Sequence, residues 1–301
     1  MRRVLVTGST GLVGRPLLPL LVARGYEVHT VARRQLAETP AGVTFHACDL
    51  LDHRSHAPLM ARVQPEALIH LAWYTRHGRF WSAAENLDWV AASLGLLRAF
   101  ADHGGRRFVG AGTCAEYAWT EPVLTEDRTP LEPRSLYGVS KDALHRIVSS
   151  FSAERGLSYA WGRIFFMYGG DEDPARLVPS VVRALRKGEP ARCTHGTQVR
   201  DFMHVEDVAR AFVHLLESKL NGPCNIGSGE PRTVRSIVEA IGAALGRPDL
   251  LHFGAIEPPP DDPPSIVAST ARLRDQIGFR PTVPLADGIA RILAESRGMP
   301  A

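Results

Sequence analysis

Short apolar runs rich in β-branched residues recur along the first half of the chain, and longer stretches with helical spacing of apolar positions separate them. The runs are Val4–Val6, Val28–Val31, Val43–Phe45, Ala67–Leu71, Phe108–Gly110 and Tyr159–Ile164. Strands that alternate with helices in this way pair in parallel and are covered on both faces. The pattern therefore predicts an α/β fold with a doubly wound parallel sheet.

The helical stretches have recognisable ends. They span Leu12–Ala23, Ala84–His103 and Leu136–Arg155, and Gly25, Gly104 and Gly156 follow them as C-terminal stops. Pro16 and Pro19 fit the first stretch poorly, because a proline beyond the first turn removes a backbone donor. We expect that helix to start irregularly or to bend.

The pattern changes after Gly169, where proline- and arginine-rich segments carry fewer predicted strands. We expect one domain over residues 1–168, onto which residues 200–220 pack back. Residues 169–301 would form a smaller, mainly C-terminal lobe.

Composition narrows the class of protein. The chain has 301 residues, of which 45% are hydrophobic and 22% charged, with a formal net charge of +3. Its basic residues are scattered among acids, so neither nucleic acid nor a membrane is an expected partner. The four cysteines form no C-x-x-C pair, no metal site is predicted, and no apolar signal segment precedes the first strand. We expect a cytoplasmic globular protein.

Three glycines follow the first strand. Gly8, Gly11 and Gly14 stand between that strand and a leucine-rich helical stretch. The first permits a tight turn, the second a close approach to a pyrophosphate, and the third close packing of helix on sheet. This context favours a Rossmann dinucleotide site over a plain glycine turn. Residues 1–168 would then form the dinucleotide-binding domain, and residues 169–301 the substrate lobe that closes over the reactive end of the nucleotide.

Tyr137 and Lys141 lie four residues apart and so share one face of a predicted helix. A phenol titrates near ~10, so a nearby ammonium and a cationic nicotinamide are both needed to lower its pKa before it can transfer protons at neutral pH, and Lys141 would supply the ammonium. The alternative is a Tyr/Lys pair on a solvated helix face.

With both motifs, the chain resembles the extended short-chain dehydrogenase/reductase family, especially its nucleotide-sugar epimerases, dehydratases and 4-keto reductases. The resemblance covers nearly the whole chain. Its motifs are Thr7-Gly8-x-x-Gly11-x-x-Gly14, Phe108 to Tyr117, Tyr137-x-x-x-Lys141, Arg163-x-x-x-x-Tyr168-Gly169, Arg200-Asp201-Phe202 onward and Asn225-Ile226-Gly227-Ser228-Gly229.

The resemblance implies roles for single residues. Tyr137 would be the general acid/base, Lys141 would orient the nicotinamide ribose, and Thr113 would hydrogen-bond the reacting oxygen. Further cofactor contacts would come from Leu12, Val13, Asp49, Leu50, Leu71 and Ala72, and substrate contacts from Tyr74, Thr113, Phe166 and Arg200. Three alternatives remain open: Thr113 as a simple strand former, Asp49 as a turn residue, and Arg200 as a structural ion-pair partner.

The charge of the residues after the second strand bears on the choice between NAD and NADP. NAD-preferring relatives end the second strand with an acid that binds the ribose 2′-hydroxyl, whereas this chain has Val31-Ala32-Arg33-Arg34. An arginine can bind a 2′-phosphate in a bidentate manner, so NADP(H) is favoured, with Arg33 as main contact and Arg34 as second; NAD(H) is possible. Two solvated arginines are the alternative. Because a net reductase exchanges its cofactor, this preference favours reduction over epimerisation.

The chain departs from the family at several points. Dehydratases carry an Asp-Glu pair after the catalytic threonine, and this chain has Cys114-Ala115 instead, with Glu116 expected on the opposite face. Phe166 replaces a common asparagine, and Glu257-Pro-Pro-Pro-Asp261 replaces a late arginine. Diphosphate binding would then be weaker or altered, with Arg176 or Arg192 as candidate replacements.

These residues predict NADPH-dependent reduction of a ketone, foremost a nucleotide-linked 4-keto-6-deoxysugar. A pocket for the substrate could be lined by Trp73, Tyr74, His77, Phe80 and Trp81, which follow the fourth strand. Alternatives are a nucleotide-sugar 4-epimerase with bound NAD, a carbonyl reductase for a nucleotide-free ketone, and a non-catalytic nucleotide sensor or scaffold. The resemblance also implies a homodimer through paired helices, with Ala84–His103 and Leu136–Arg155 as candidates.

Overall fold

The structure is a computed structural model that describes residues 2–34 and 39–295. Residue 1, residues 35–38 and residues 296–301, which the predicted domain ranges include, lie outside the described residues. The strands are β1 Arg3–Thr7, β2 Glu27–Ala32, β3 Val43–Ala47, β4 Ala67–His70, β5 Arg107–Thr113, β6 Val123–Leu124, β7 Ser158–Ile164, β8 Phe166–Tyr168, β9 Ala191–Arg192, β10 Val199–His204, β11 Gly222–Ile226, β12 Pro231–Thr233, β13 Leu251–His252 and β14 Ser265–Ala268.

The helices over the same residues are α1 Gly14–Ala23, α2 His56–Val63, α3 Glu85–Asp102, α4 Leu136–Arg155, α5 Leu177–Arg186, α6 Val205–Glu217, α7 Val234–Ala244, α8 Ala271–Asp275 and α9 Leu285–Glu295. Within this described part, no helix is both long and apolar enough to cross a membrane.

The large sheet has seven parallel strands in the order β11-β7-β5-β4-β1-β2-β3. All six predicted strands are in it, and the doubly wound fold is confirmed. The chain passes from β1 to β2 on one side and later to β4 on the other, so the strand order reverses at β1. In such sheets a crevice opens at the carboxyl ends of the strands beside the reversal.

Side chains of β1 alternate between two cores. Val4 and Val6 belong to the core under α1 and α6, whereas Leu5 belongs to the core under α2, α3 and α4. This period of two is the reason that a continuous apolar run suits a strand buried on both faces. Helices on both faces hold the sheet rigid and leave its carboxyl edge free for a ligand.

A second sheet has the order β12-β10-β14-β6, and β8 also pairs with β10. Helices α5, α7 and α9 supply residues to the apolar core beside it. The segments after Gly169 thus do hold strands, most of them short, and one of them, β11, lies in the large sheet. The domain boundaries themselves stay a prediction.

The helices end at the glycines predicted as C-terminal stops. Gly25, Gly104 and Gly156 have positive φ angles of 76°, 83° and 63° just after α1, α3 and α4. Helix α1 begins at Gly14 rather than Leu12, which puts Pro16 in the first turn, where backbone N–H groups have no helical acceptor. Only Pro19 lies in the helix interior, and the helix starts two residues later than the predicted Leu12.

Candidate active site

A cleft of about 1330 Å³ opens at the carboxyl ends of the large sheet and continues to the second sheet. The cofactor residues predicted from the sequence line it, with one exception, and so do all the predicted catalytic and substrate residues. They are Gly8, Gly11, Leu12, Val13, Gly14, Arg33, Asp49, Leu50, Leu71, Ala72, Tyr74, Thr113, Tyr137, Lys141, Phe166 and Arg200. Arg34 is the exception, because it is not part of the cleft wall.

The glycine turn forms a backbone cradle in the wall of the cleft. Gly8 has φ +70°, and a Cβ on it would lie 2.6 Å from the Ala72 nitrogen. A Cβ on Gly14 would lie 2.3 Å from the Gly8 oxygen. The hydroxyl of Ser9 is buried here without a hydrogen-bond partner. Such a cradle at the start of a helix fits the pyrophosphate of a dinucleotide.

A buried polar chain holds the two sides of this cradle together. The Thr7 hydroxyl accepts from the Ala72 backbone N–H at 3.2 Å and pairs with His70 Nδ1 at 2.8 Å. His70 Nε2 in turn pairs with the Ser93 hydroxyl on α3 at 2.8 Å. Burial lowers the pKa of His70 to about 3, so its ring is neutral. Sequence reasoning missed this chain, since its members come from three separate segments.

The three predicted catalytic side chains line the same cleft, and Thr113 is hydrogen-bonded to Tyr137. Thr113 ends β5, and Tyr137 and Lys141 lie in the first turns of α4, which the Ser135 hydroxyl caps by accepting from Gly138 N–H at 3.1 Å. Lys141 Nζ donates to the Ala111 carbonyl at 2.9 Å and lies 3.7 Å from the centre of the Trp73 ring. The i, i+4 spacing therefore brings phenol and ammonium to one wall.

Burial dominates the electrostatics of Tyr137 and Lys141. It lowers the pKa of Lys141 to about 7, and the Glu116 carboxylate opposes that change. It raises the pKa of Tyr137, while the Thr113 hydroxyl acts in the opposite direction. Lys141 is not among the groups that change the Tyr137 pKa most, so the predicted lowering of that pKa is not found in the chain by itself.

Arg33 and Arg34, the residues predicted to bind a ribose 2′-phosphate, differ in their location. Both are exposed, but only Arg33 lines the cleft. Asp49 is exposed as well, and its Oδ1 accepts from the Leu51 N–H at 3.1 Å, which is the contact of a turn residue. Leu50 is buried beside it. The location of Arg33 agrees with the role predicted for it, and that of Arg34 does not.

Arg200 is already engaged by the protein. Its guanidinium donates to the carbonyls of Val199 and Pro263, each at 2.8 Å, and to Asp262 Oδ1 at 2.5 Å. It also lies over the Phe166 ring, 5.5 Å from its centre. The ion-pair alternative thus describes the contacts of Arg200 in this structure, although the residue reaches the cleft wall.

Arg176 and Arg192, the candidate replacements for the missing late arginine, differ in whether they line the cleft. Arg176 lines the cleft and pairs with the buried Glu172 at 3.4 Å. Arg192 does not line it, and its Nη2 donates to the Ala255 carbonyl at 3.0 Å. Arg176 is therefore the better placed of the two.

Aromatic side chains surround Tyr137. Phe80 and Trp81 meet its ring edge-on at centroid distances of 4.9 and 5.8 Å, and the Trp81 carbonyl accepts from the Tyr137 backbone N–H at 3.1 Å. Trp119 joins this wall through Trp81 and was not predicted from the sequence. The predicted aromatic residues Trp73, Tyr74, His77, Phe80 and Trp81 all line the cleft.

The downstream motifs act as structural junctions. Both carboxylate oxygens of Asp201 accept hydrogen bonds, from Ser228, Gly229 and Ala268. Asn225 binds the Tyr117 hydroxyl and the Leu124 carbonyl. These contacts join the large sheet to the second one, which explains the residue types without a ligand.

Comparisons with known proteins agree with this geometry. A model of the NAD dependent epimerase/dehydratase family matches residues 4–227. The UDP-glucose 4-epimerase of Streptomyces lividans is 28% identical over 306 residues, which cover 93% of this chain and 92% of that protein.

Two solved structures share the fold over almost their full length. One is the UDP-glucose 4-epimerase of Thermus thermophilus in complex with NAD, with 29% identity, a TM-score of 0.85 and coverage of 98% of this chain and 99% of that one. The other is MoeE5 in complex with UDP-glucuronic acid and NAD, with 29% identity, a TM-score of 0.85 and the same coverage. The family match and the shared fold together confirm the resemblance, and the chain belongs to the NAD dependent epimerase/dehydratase family of enzymes.

Proposed function

We propose that this protein is a nucleotide-sugar 4-epimerase that works with a bound nicotinamide dinucleotide. One observation carries the proposal: Thr113, Tyr137 and Lys141 line the same cleft as the glycine cradle. The similarity to UDP-glucose 4-epimerases over 93% of the chain supports this activity above the reductase that the sequence favoured.

The chain's own residues would handle the proton. Tyr137 would take the proton of the sugar 4-hydroxyl and later return it, since a phenol within hydrogen-bond reach can serve as base and then acid. Thr113 would hold the same oxygen, and Lys141 would bind the nicotinamide ribose and favour the phenolate by its charge. When bound, the nicotinamide would supply the acceptor and donor of the hydride at carbon 4 of the sugar.

A second candidate is NADPH-dependent reduction of a nucleotide-linked 4-keto-6-deoxysugar. Arg33 favours it, because this arginine lines the cleft after β2, where no acid is present to bind a ribose hydroxyl. The wall of Phe80, Trp81 and Trp119 also suits a sugar with a methyl group at carbon 6. NADP(H) preference is part of this second candidate.

The products of two separate incubations distinguish the two candidates. The purified protein is incubated with UDP-glucose, and separately with NADPH and a nucleotide-linked 4-keto-6-deoxysugar. Formation of UDP-galactose without net change in the absorbance of NAD(P)H supports the epimerase. Stoichiometric loss of NADPH with the keto sugar alone supports the reductase.

The Tyr137→Phe variant is the control for both reactions. It should abolish turnover while cofactor affinity stays within about threefold, because it removes only the hydroxyl. If neither nucleotide sugar reacts with the unmodified protein, both candidates fail. If Tyr137→Phe retains full turnover, the catalytic assignment fails.

We further propose a homodimer that forms through α3 and α4. Leu87 on α3 and Val139 and Ile147 on α4 are 59%, 48% and 45% exposed, which is high for large apolar side chains. Sedimentation velocity of the wild type against Ile147→Asp tests this contact. We also propose a cytoplasmic location, in keeping with four cysteines that form no disulfide.

A further inference from the structure

Glu116 is buried next to Thr113, yet it does not line the cleft. It ends the single 3₁₀ turn Cys114–Glu116 that continues β5. Its Oε1 accepts from the Thr113 backbone N–H at 2.8 Å, while the Thr113 hydroxyl accepts from the Ala115 N–H at 3.2 Å. This reciprocal cap fixes both the backbone and the side chain of Thr113.

The Glu116 carboxylate is itself held by the neighbouring strand. Trp161 Nε1 donates to its two oxygens at 3.0 and 3.2 Å, and Arg163 Nε donates to Oε2 at 2.7 Å. Both partners are on β7 and are almost completely buried. A carboxylate with 0% exposure needs such a set of donors, so its orientation is strongly determined.

A second layer extends the anchor to β11. Arg163 Nη1 donates to the Tyr117 hydroxyl at 2.9 Å, and that hydroxyl donates to Asn225 Oδ1 at 2.7 Å. The position of Thr113 is thereby tied to three adjacent strands of the large sheet rather than to its own turn alone.

Gly112 provides independent evidence for this arrangement. A Cβ at that position would lie 2.2 Å from Trp161 Nε1 and 2.5 Å from Glu116 Oε1. Both distances are shorter than non-bonded contacts allow, so any other residue would displace the carboxylate or the indole. The glycine directly before Thr113 leaves the space that the cap needs.

We propose that Glu116 is a positioning residue for the reaction: through the cap, it directs the Thr113 hydroxyl to donate its hydrogen to the reacting oxygen of the substrate. The Ala115 N–H occupies one acceptor site of that hydroxyl, and the hydroxyl is hydrogen-bonded to Tyr137, the other residue assigned to the reacting oxygen. This inference rests on the proposed function, since it concerns the oxygen at the carbon that reacts.

Two substitutions separate the reach of the side chain from its charge. Glu116→Asp keeps the negative charge beside Arg163 but shortens the side chain by one methylene, so the cap on Thr113 is lost. Glu116→Gln keeps the reach and an acceptor oxygen but removes the charge. If the cap matters, Glu116→Asp lowers kcat by about 10- to 100-fold with KM within about threefold, because a displacement near 1 Å costs this much. Glu116→Gln should retain more of kcat than Glu116→Asp.

A double-mutant cycle tests whether Glu116 acts through Thr113. In the Thr113→Ala background, Glu116→Asp should lower kcat by less than about twofold, since the hydroxyl that it positions is gone. Thr30→Val is the control for general loss of a buried hydrogen bond, because the buried Thr30 hydroxyl donates to the Val6 carbonyl at 3.2 Å. It should lower the melting temperature without changing kcat.

Each result has one meaning. An additive effect of Glu116→Asp in the Thr113→Ala background, or an unchanged kcat in Glu116→Asp alone, overturns the role of Glu116. A kcat loss in Thr30→Val as large as that in Glu116→Asp does the same, because stability would then explain the loss. An unmodified protein that turns over no nucleotide sugar refutes the proposed function and this inference together.

Discussion

Replacement of Arg33 by alanine tests how the chain selects its cofactor. Arg33 lines the cleft directly after β2, whereas Arg34 is also exposed but is not part of the cleft wall. If Arg33 binds the 2′-phosphate of NADP, its loss should weaken NADP⁺ binding and leave NAD⁺ binding unchanged. Arg34→Ala is the matched control, since it removes the same charge one residue away.

The magnitude follows from exposure. A hydrogen bond to a charged group contributes about 1.5–3 kcal/mol when shielded from solvent. Arg33 is exposed, so water and salt screen the interaction, and about 1–2 kcal/mol is the better value. This corresponds to a roughly 5- to 30-fold increase in the Kd of NADP⁺. The increase should shrink as salt is added, because screening already weakens the wild-type contact.

Quenching of tryptophan fluorescence is a suitable assay, because Trp73 lines the same cleft. The Kd values of NADP⁺ and NAD⁺ are compared for the wild type, Arg33→Ala and Arg34→Ala at two salt concentrations. Equal affinities of the wild type for the two cofactors would refute the reasoning, as would an equal effect of both substitutions. Tighter binding of NAD⁺ than of NADP⁺ would favour the epimerase over the reductase.

Three other substitutions or conditions give expected outcomes. Gly14→Ala should abolish dinucleotide binding, since its Cβ would lie 2.3 Å from the Gly8 oxygen; calorimetric titration with NAD⁺ and NADP⁺ would show it, and retained affinity would contradict the cradle. Lys141→Met should abolish turnover yet raise both the melting temperature and, by about 1–3 kcal/mol, the free energy of unfolding at pH 7. The reason is that it removes the cost of burying an ammonium whose pKa falls to about 7. An unchanged or lower melting temperature would contradict this. Stability should fall as the pH drops from 6.5 towards 3, because burial lowers the pKa of both His70 and His145 to about 3 and the unfolded chain therefore binds more protons in this range. Urea unfolding of the wild type and His145→Gln across that range should show a weaker pH dependence in the variant.

Local patterns in the sequence were sufficient for the parts of the molecule that depend on neighbours along the chain. The apolar runs gave all six predicted strands, because strands buried on both faces of a parallel sheet are apolar without interruption. The glycine turn and the Tyr137/Lys141 pair could also be predicted, since each lies within a few consecutive residues. All three glycines and both members of the pair line the cleft.

Contacts between distant segments could not be read in this way. Glu116 was expected on the face opposite the cleft, but nothing in its neighbours indicated Arg163 or Trp161 as partners. The pairing of Arg200 with Asp262 likewise depends on a proline-rich loop that the second sheet places beside it. The strand β11 was missed because proline, cysteine and asparagine interrupt its apolar pattern.

Strand β11, at the edge of the large sheet, is synthesised late, and this affects how the sheet forms during biosynthesis. Strand β7 pairs with β5 on one side and with β11 on the other, and its residues Ala160, Trp161 and Arg163 are almost completely shielded from water. A nascent chain emerging from the ribosome makes β7 well before β11, and in that interval an edge rich in unpaired backbone groups is open to other chains. In a protein truncated at residue 168, β11 is missing and the edge of β7 stays unpaired. Such a shortened protein should aggregate during expression, even though it keeps the nucleotide cradle and the catalytic side chains.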